Sequence, residues 1–311
     1  MLSIKVFIRR VFPNIFSLLR SIKERIYAYL GKKHPELLVK RLYREYYGRR
    51  INLKSPKDID EKVNYMKLYT DTSMWSILAD KYEVREYVKR MGLSHTLNEL
   101  YGVYDSPEEI DFNTLPNQFV IKTTNGGGGN SVLIVKDKNS IDTQQIIAKL
   151  KEWLMIPMAY KYAESHYGKI KPRLIIEKYL QCPEDATSLI DYKFNSFNGN
   201  VYTVFLCSDR EFGKQVKYSV YDLEWNLYPE KVKPEYATDT KYAKPSSLNK
   251  MIEYSSILSK GFPYVRIDWY EVEGEPIFGE MTFTPAGGFQ QFYNYEYLLE
   301  LGEQCQIEID K

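Results

Sequence analysis

The sequence predicts an α+β fold that follows a mostly helical N-terminal region, and three observations support this prediction. Apolar residues recur at helical spacing between positions 34 and 100. From position 116 the pattern changes to short β-like runs, two of which flank a glycine-rich turn. The rest of the chain mixes strand and helix patterns, and 311 residues suffice for two or three domains. We expect four regions: an N-terminal segment 1–33, a helical region 34–115, a first α+β subdomain 116–180 and a second 181–311.

The N-terminal segment combines apolar and basic residues and contains no acidic residue before Glu24. This composition fits a basic amphipathic helix on an anionic membrane surface, and it also fits a helix packed on its own domain or on a partner. Arginines and Pro13 interrupt the apolar core that a signal peptide needs, so we do not expect one. No run approaches the ~20 apolar residues that span a bilayer.

Overall composition points to a cytoplasmic globular protein, either free or held at the inner face of the membrane by its N-terminal segment. Hydrophobic residues make up 44% and charged residues 27%, which is ordinary for such proteins. The net charge of +2 gives no reason to expect nucleic acid as a partner. The three cysteines, Cys182, Cys207 and Cys305, form no spaced pair or metal motif, which suits a reducing compartment.

The helical region divides into at least two helices, since Ser55-Pro56 and Gly92 are breaks. Helical spacing is followed by Leu37, Leu38, Leu42 and Tyr46, and again by Val84, Tyr87, Val88 and Met91.

The glycine-rich turn is predicted to join two strands, 119–122 and 131–135. A strand–loop–strand order excludes the strand–loop–helix of a P-loop or dinucleotide-binding fold, and neither of those motifs is present. Four glycines in a row are entropically costly. They suit a lid whose backbone N–H groups close over phosphate oxygens, with Lys122 adding a charge. A merely flexible turn is the alternative. The loop glycines are Gly126, Gly127, Gly128 and Gly129.

A helix at 141–155 and a strand at 174–177 precede a predicted inter-domain hinge, Glu177-Lys178-Tyr179-Leu180. Backbone groups of such a hinge can bind an adenine edge, and Glu184 is close enough in sequence to reach ribose hydroxyls. Lys193 lies in an alternating strand that either directs it at phosphate or leaves it in solvent.

Two strands near the C-terminus, 265–270 and 277–282, are predicted to form a hairpin through a turn at Gly274. Asp268 and Glu280 then lie on neighbouring strands, with Arg266 two positions from the first. Paired carboxylates beside an arginine suit Mg²⁺ and phosphate together. A solvated hairpin with ordinary surface carboxylates is the alternative.

Together these segments resemble the ATP-grasp superfamily, and within it the TupA-like family of cell-surface polysaccharide synthesis. The resemblance covers roughly residues 35–295 through the order and spacing of its motifs. These are Ser55-Pro56 with Glu61-Lys62, Ala79-Asp80-Lys81-Tyr82 with Val84-Arg85-Glu86-Tyr87-Val88, Leu115-Pro116 with Phe119-Val120-Ile121-Lys122, the glycine loop, Glu177-Lys178-Tyr179-Leu180, Asp191-Tyr192-Lys193, Arg266-Ile267-Asp268, and Phe278-Gly279-Glu280-Met281-Thr282-Phe283-Thr284-Pro285.

The resemblance implies an ATP-grasp fold, in which two α+β subdomains clasp ATP with Mg²⁺, in most members two ions. It implies that Lys81 and Lys122 approach the phosphates beside the glycine lid. Adenine would be held by Glu177 and by the hinge 178–180, and ribose by Glu184. The transferring phosphoryl group would be contacted by Lys193 and Arg266, and Mg²⁺ would be bound by Asp268, Glu280 and Thr282.

Two positions depart from the family pattern. Thr282 stands where many ATP-grasp enzymes have asparagine, so a weaker hydroxyl ligand replaces an amide. Asn125 stands where TupA-like chains often have histidine before the glycines. Among the three histidines of the chain, only His166 falls near the predicted lid.

The activity implied is that of an ATP-dependent carboxylate–amine ligase that works through an acyl-phosphate, with a uronic-acid carboxylate of a surface polysaccharide or its precursor and an amine as substrates. Arg210, Lys214 and Lys217 are candidates for a basic rim around an acidic sugar, or for a solvated face. A sugar or polyol kinase with the same ATP site is the main alternative. A glycosyltransferase would require a DxD arrangement that Asp268 and Glu280 do not form, and a non-catalytic binding protein would not need the charged residues retained here.

Overall fold

The computed structural model describes residues 13–127, 131–155, 159–182, 189–208 and 216–309, and these contain eight α-helices and nine β-strands. The helices are α1 (Pro13–Lys33), α2 (Pro35–Tyr47), α3 (Ile59–Tyr69), α4 (Ser73–Leu78), α5 (Val84–Arg90), α6 (Thr143–Met155), α7 (Leu248–Ser259) and α8 (Tyr295–Gln304). The strands are β1 (Leu100–Tyr104), β2 (Phe119–Thr123), β3 (Val132–Val135), β4 (Leu174–Lys178), β5 (Asp191–Phe197), β6 (Asn200–Ser208), β7 (Lys217–Tyr221), β8 (Val265–Val272) and β9 (Glu275–Thr282).

The first sheet has the order β1-β4-β2-β3, with antiparallel neighbours throughout. Pairing of β2 with β3 confirms the hairpin predicted around the glycine loop. Helix α6 packs on this sheet through Ile146, Leu150 and Trp153. The sheet also includes β1, and Leu115 joins its core, so both lie on the N-terminal side of the boundary expected at 116. Strand β1 is short and half-buried, and its residues pair with partners on β4 that lie 70 to 77 positions away in sequence. Such a long-range pairing gives no local signal.

The second sheet has the order β7-β6-β5-β8-β9, again with antiparallel neighbours. One face packs on α7, where Trp269 donates its indole N–H to Ser255 at 2.8 Å. Apolar residues of α3, α4 and α5, including Val63, Trp75 and Val84, belong to the same core. The helical N-terminal region therefore completes the core of the C-terminal sheet.

The Glu61-Lys62 pair, one of the sequence motifs, has a structural role at the start of α3. Glu61 accepts hydrogen bonds from the backbone N–H groups of Asn52 and Lys57, both at 2.9 Å. Lys62 donates to the carbonyls of Gly302 and Cys305, at 2.8 and 2.7 Å. These bonds fix the preceding loop and the end of α8 to α3, because carbonyl and amide groups that leave water need partners.

Candidate active site

The second sheet carries a row of charged residues across three neighbouring strands. Lys193 on β5 lies opposite Asp268 on β8, which in turn lies opposite Glu280 on β9. Directly opposed residues of antiparallel strands project to the same face, so the three side chains converge. Lys193 Nζ lies 2.6 Å from Asp191 Oδ2 and 2.5 Å from Asp268 Oδ2. The hairpin and the shared face predicted for Asp268 and Glu280 are thus present.

Arg266 lies two positions before Asp268 on β8 and opposite Thr282 on β9. Its Nε and Nη2 donate to the two carboxylate oxygens of Asp268, both at 2.6 Å. Nη2 also lies 3.2 Å from Glu280 Oε1 and 3.2 Å from Thr282 Oγ1. A bidentate guanidinium–carboxylate pair fixes both side chains in one plane. Arg266 is therefore positioned between the carboxylates of the two strands.

A bulge at Gly279 permits this alignment. Glu280 pairs with Asp268 and Phe278 pairs with Trp269, so Gly279 is the extra residue on β9. A Cβ atom on Gly279 would lie 2.8 Å from the carbonyl oxygen of Asp268. Glycine is required here by this close approach rather than by an unusual backbone angle. The bulge allows Glu280 to face the site while Phe278 packs in the core.

Lys81 reaches the same site from the loop between α4 and α5, and donates to Glu280 Oε2 at 2.9 Å. Burial opposes ionisation of Glu280, but Lys81, Arg266 and Lys193 outweigh it and lower the pKa of this carboxyl. Burial raises the pKa of Asp268, although Arg266 and Lys193 favour its ionised form. Burial disfavours the charged form of Arg266, but Asp268 and Glu280 favour it, and the pKa of the guanidinium is raised. Lys81, Lys193 and Arg266 are thus each held by a carboxylate.

The donor set fits a magnesium ion that shares its coordination with phosphate. Mg²⁺ is commonly held by one or two carboxylates plus phosphate oxygens and water. Asp268 and Glu280 supply two adjacent carboxylates, and the Thr282 hydroxyl lies 3.1 Å from Glu280 Oε1. No cluster of three or more histidine, cysteine, aspartate or glutamate side chains with metal-binding geometry occurs in the described part of the chain. The remaining ligands would have to come from a nucleotide and from solvent.

The predicted adenine end of the site is organised around Glu177, the last buried residue of β4. Its carboxylate accepts from Lys122 Nζ at 2.8 Å and from Arg85 Nη1 at 3.1 Å. The backbone N–H of Lys178 donates to the Glu99 carbonyl at 2.9 Å. The Lys178 carbonyl accepts from the side-chain amide of Asn98, also at 2.9 Å. The Lys178 N–H and one lone pair of its carbonyl oxygen are therefore already used. Only the second lone pair of that oxygen is left to accept a hydrogen bond from adenine.

Tyr179 and Leu180 are half-buried and begin the connection from β4 to β5, which leads from one sheet to the other. The hinge predicted at 177–180 therefore lies where the chain passes from the first sheet to the second. The carboxylate predicted to bind ribose, Glu184, lies outside the described residues.

The glycine loop is described as far as Gly127. Gly126 is buried and donates its N–H to the Thr123 carbonyl at 3.3 Å, and a Cβ on Gly127 would meet no atom of the described residues within 4 Å. Asn125 is also buried. Gly128 and Gly129 lie outside the described residues, as do the rim candidates Arg210 and Lys214. Lys217, the third rim candidate, donates to the Glu235 carbonyl at 3.2 Å.

The segment 79–85 joins the two ends of the site. The Lys81 backbone N–H bonds the Thr124 carbonyl next to the glycine loop at 3.0 Å. Asp80 and Glu83 both accept from Arg173, at 3.4 and 2.7 Å. One short segment thus places Lys81 against the carboxylates and Arg85 against Glu177.

Two residues of this constellation were not assigned a role from the sequence. Asp191 shares a face of β5 with Lys193, and the spacing of two on a strand was the available signal. Arg85 lies in a quoted motif, but its contact with Glu177 spans 92 positions and leaves no local pattern.

His166 is fully buried beside the site rather than in it. Its ring packs edge-on against Trp75 at 5.5 Å, and neither ring nitrogen has a hydrogen-bond partner among the described residues. Burial, with smaller contributions from Lys67 and Lys169, lowers the pKa of His166 to about 3. A neutral, enclosed imidazole with this pKa is a packing residue and not a proton donor at neutral pH.

Three solved structures show how far this chain is similar to known proteins. D-alanine–D-alanine ligase from Helicobacter pylori is 14% identical over 80% of this chain and 67% of its own, with a TM-score of 0.44. N5-carboxyaminoimidazole synthetase from Staphylococcus aureus, complexed with ADP, is 13% identical over 80% and 58%, with a TM-score of 0.45. An L-amino acid ligase from Bacillus licheniformis is 12% identical over 82% and 53%, with a TM-score of 0.44. This chain therefore spans only 53–67% of the length of these three proteins.

No curated protein matches the sequence. A family model, in contrast, matches most of it, from residue 61 to residue 306, and is described as TupA-like ATP-grasp. The match confirms the resemblance inferred from the motifs: the chain belongs to the TupA-like ATP-grasp family.

Proposed function

We propose that this protein is an ATP-dependent carboxylate–amine ligase that amidates a uronic-acid carboxylate during cell-surface polysaccharide synthesis. The observation that carries the ligase part is the row Lys193–Asp268–Glu280 with Arg266 between its carboxylates. The choice of an acidic sugar and an amine rests on the family resemblance.

The reaction has two steps. An oxygen of the substrate carboxylate attacks the γ-phosphorus of ATP, and the bond to ADP breaks. The amine nitrogen then attacks the acyl carbon, phosphate leaves, and the nitrogen loses a proton. No protein nucleophile takes part, so the residues contribute by positioning and by neutralising charge.

The cations of the site are suited to the first step. Lys81, Lys193 and Arg266 lie at one face of the sheet, with side chains between 8% and 16% exposed. Hydrogen bonds from cations to phosphate oxygens are about twice as strong as those between neutral groups. Their role in this proposal is to hold the transferring phosphoryl group in line with the acceptor oxygen.

Binding of the nucleotide requires an exchange of partners. In the structure, Asp191, Asp268 and Glu280 balance the three cations. Magnesium bound to Asp268, Glu280 and Thr282 would neutralise phosphate charge. Lys81, Lys193 and Arg266 would then be available to the phosphates, and the total charge in the site would stay nearly balanced. Such an exchange avoids burying an unpaired ion, which costs several kcal/mol.

The glycine loop is assigned the role of a lid. An acyl-phosphate hydrolyses in water, so the second step requires that solvent be excluded. Lys122, whose Nζ is bonded to Glu177, lies at the end of the strand that leads into the loop. A phosphate under the lid would draw Lys122 from Glu177 and couple loop closure to nucleotide binding.

Product analysis tests the proposal. The protein is incubated with ATP, Mg²⁺, a uronic acid and an amine, and phosphate release and amide formation are followed by phosphate assay and mass spectrometry. Release is expected only when carboxylate and amine are both present. Lys193→Met is expected to abolish it, whereas Lys89→Met, which alters an exposed ion pair with Glu86, serves as the matched control.

A phosphorylated sugar as the product would instead identify a kinase. ATP binding without turnover of any acid–amine combination would contradict the substrate assignment and leave the nucleotide site intact.

A further inference from the structure

Helix α1 exposes a continuous line of large apolar side chains. Leu18, Leu19, Ile22, Ile26 and Tyr29 are 60%, 54%, 44%, 48% and 61% exposed. Adjacent Leu18 and Leu19 are followed at intervals of three or four positions by Ile22, Ile26 and Tyr29. This spacing places all five on one side of a helix. We refer to these five residues as the exposed stripe. Soluble surfaces carry single exposed apolar residues, but contiguous lines of them are typical of interaction sites.

The opposite side of α1 is the side that packs on the protein. Tyr27 is buried and donates its hydroxyl to Glu45 at 2.7 Å. Gly31 approaches the segment after α6 so closely that a Cβ atom would lie 1.8 Å from the Tyr160 carbonyl oxygen. Glu24 accepts from Lys161 at 3.0 Å. The docking of α1 therefore fixes the exposed stripe on the outer surface.

Basic residues surround the exposed stripe. Lys23, Arg25, Lys32 and Lys33 are exposed, and the one acidic residue of the helix, Glu24, is paired on the packed side. Lys23 forms an exposed ion pair with Glu45 at 2.5 Å, which solvent screens. The outward charge of α1 is thus positive. No helix in the described residues is both long enough and apolar enough to cross a bilayer.

We propose that α1 is a membrane-binding helix that lies flat on an anionic lipid surface, with the exposed stripe inserted among the acyl chains and the basic residues against the headgroups. A basic helix with a narrow apolar face is the usual form of such a contact. The charge argues for anionic lipid rather than a second copy of this chain, because two such helices would bring positive charges together. This inference concerns attachment and does not depend on the proposed ligase activity.

Flotation of the full-length protein with vesicles tests the proposal. One set contains phosphatidylcholine with about a third phosphatidylglycerol, and the other contains phosphatidylcholine alone. The wild type is expected to float with the anionic vesicles only. Ile22→Asp with Ile26→Asp is expected to reduce binding at least tenfold, since charged residues are strongly disfavoured in the interface. Lys32→Ser with Lys33→Ser removes two charges and is expected to reduce it by about fivefold per residue.

The matched control is Ile134→Asp, which places the same charge at another exposed isoleucine, on β3, 53% exposed. Its binding is expected to equal that of the wild type, and all variants are first compared with the wild type by thermal melting. A wild type that does not float, or variants that float equally well, would overturn the proposal. So would a dimeric wild type that becomes monomeric on Ile22→Asp with Ile26→Asp, because a second copy would then cover the exposed stripe.

Discussion

Lys81 and Glu280 are 199 positions apart in sequence, yet Lys81 Nζ lies 2.9 Å from Glu280 Oε2. The contact joins the loop before α5 to the hairpin of β8 and β9, which carries the proposed metal site. Glu280 keeps a lowered pKa partly because Lys81 is present. The helical N-terminal region therefore supplies part of the site in addition to its packing role.

Lys81→Met is expected to weaken binding of Mg²⁺·ATP by about 10- to 100-fold, because hydrogen bonds from charged groups contribute about 1.5–3 kcal/mol. Isothermal titration calorimetry measures the affinity, with Lys89→Met as the control of equal side-chain change at an exposed site. Equal affinities of the two variants would show that Lys81 serves only to hold Glu280.

Arg85→Leu is expected to lower the free energy of unfolding by about 2–4 kcal/mol. The buried Glu177 carboxylate would lose its ion pair with Arg85 and keep only the one with Lys122. Arg85 also donates to the Asn98 carbonyl at 2.6 Å, which adds to the loss. Urea unfolding measures the change. In a double-mutant cycle with Glu177→Gln, a coupling energy of about 0.5–3 kcal/mol is expected for residues in contact. Strict additivity would contradict the pairing.

Gly279→Ala is expected to displace β9 from β8, because the new Cβ would lie 2.8 Å from the Asp268 carbonyl oxygen. The cost in unfolding free energy is expected to be about 1–3 kcal/mol, as for other overpacked sites, with a parallel loss of ATP affinity. Gly127→Ala is the control for stability, since within the described part of the chain a Cβ there meets no atom closer than 4 Å. Identical melting temperatures for the two variants would show that the bulge tolerates a side chain.

Much of this arrangement was predictable from the sequence because its parts are local. The hairpins β2–β3 and β8–β9 follow from alternating apolar residues around glycines. The bulge at Gly279, which the alternation does not predict, sets the register that pairs Asp268 with Glu280. The ATP-grasp fold inferred from the order of the motifs is confirmed by the family match.

The contacts that were not predictable are those between segments far apart in the chain. Arg85 reaches Glu177 across 92 positions, and β1 pairs with β4 across a comparable distance. Neither contact produces a periodic pattern in the sequence. Similarly, the Lys178 backbone was expected to hold adenine, and its N–H donates to the carbonyl of Glu99, the residue that precedes edge strand β1.

The stability of the protein is expected to depend on pH through His166. Burial lowers the pKa of this imidazole from its ordinary 6.5 to about 3, so between these values the unfolded chain binds a proton that the folded chain does not. The contribution of His166 to stability is therefore constant above pH 6.5 and falls by up to about 1.4 kcal/mol per pH unit as pH drops below it.

His166→Phe removes this dependence. Urea unfolding of both proteins at pH 7, 6 and 5 is expected to show the wild type losing more stability than the variant on acidification. Parallel pH profiles would mean that the imidazole titrates alike in the folded and unfolded chains.

The most direct test of the account is the magnesium dependence of ATP binding in the wild type and in Asp268→Ala with Glu280→Ala, measured by calorimetry with Mg²⁺ and again with EDTA. The wild type is expected to bind more tightly with Mg²⁺. With Mg²⁺, the variant is expected to bind ATP at least ~100-fold more weakly than the wild type, because the carboxylates hold the metal–phosphate complex. In EDTA it is expected to bind no worse than the wild type, since Lys193 and Arg266 are freed. Unchanged magnesium-dependent binding in the variant would show that this hairpin is only scaffold, and the ligase assignment would fall with it.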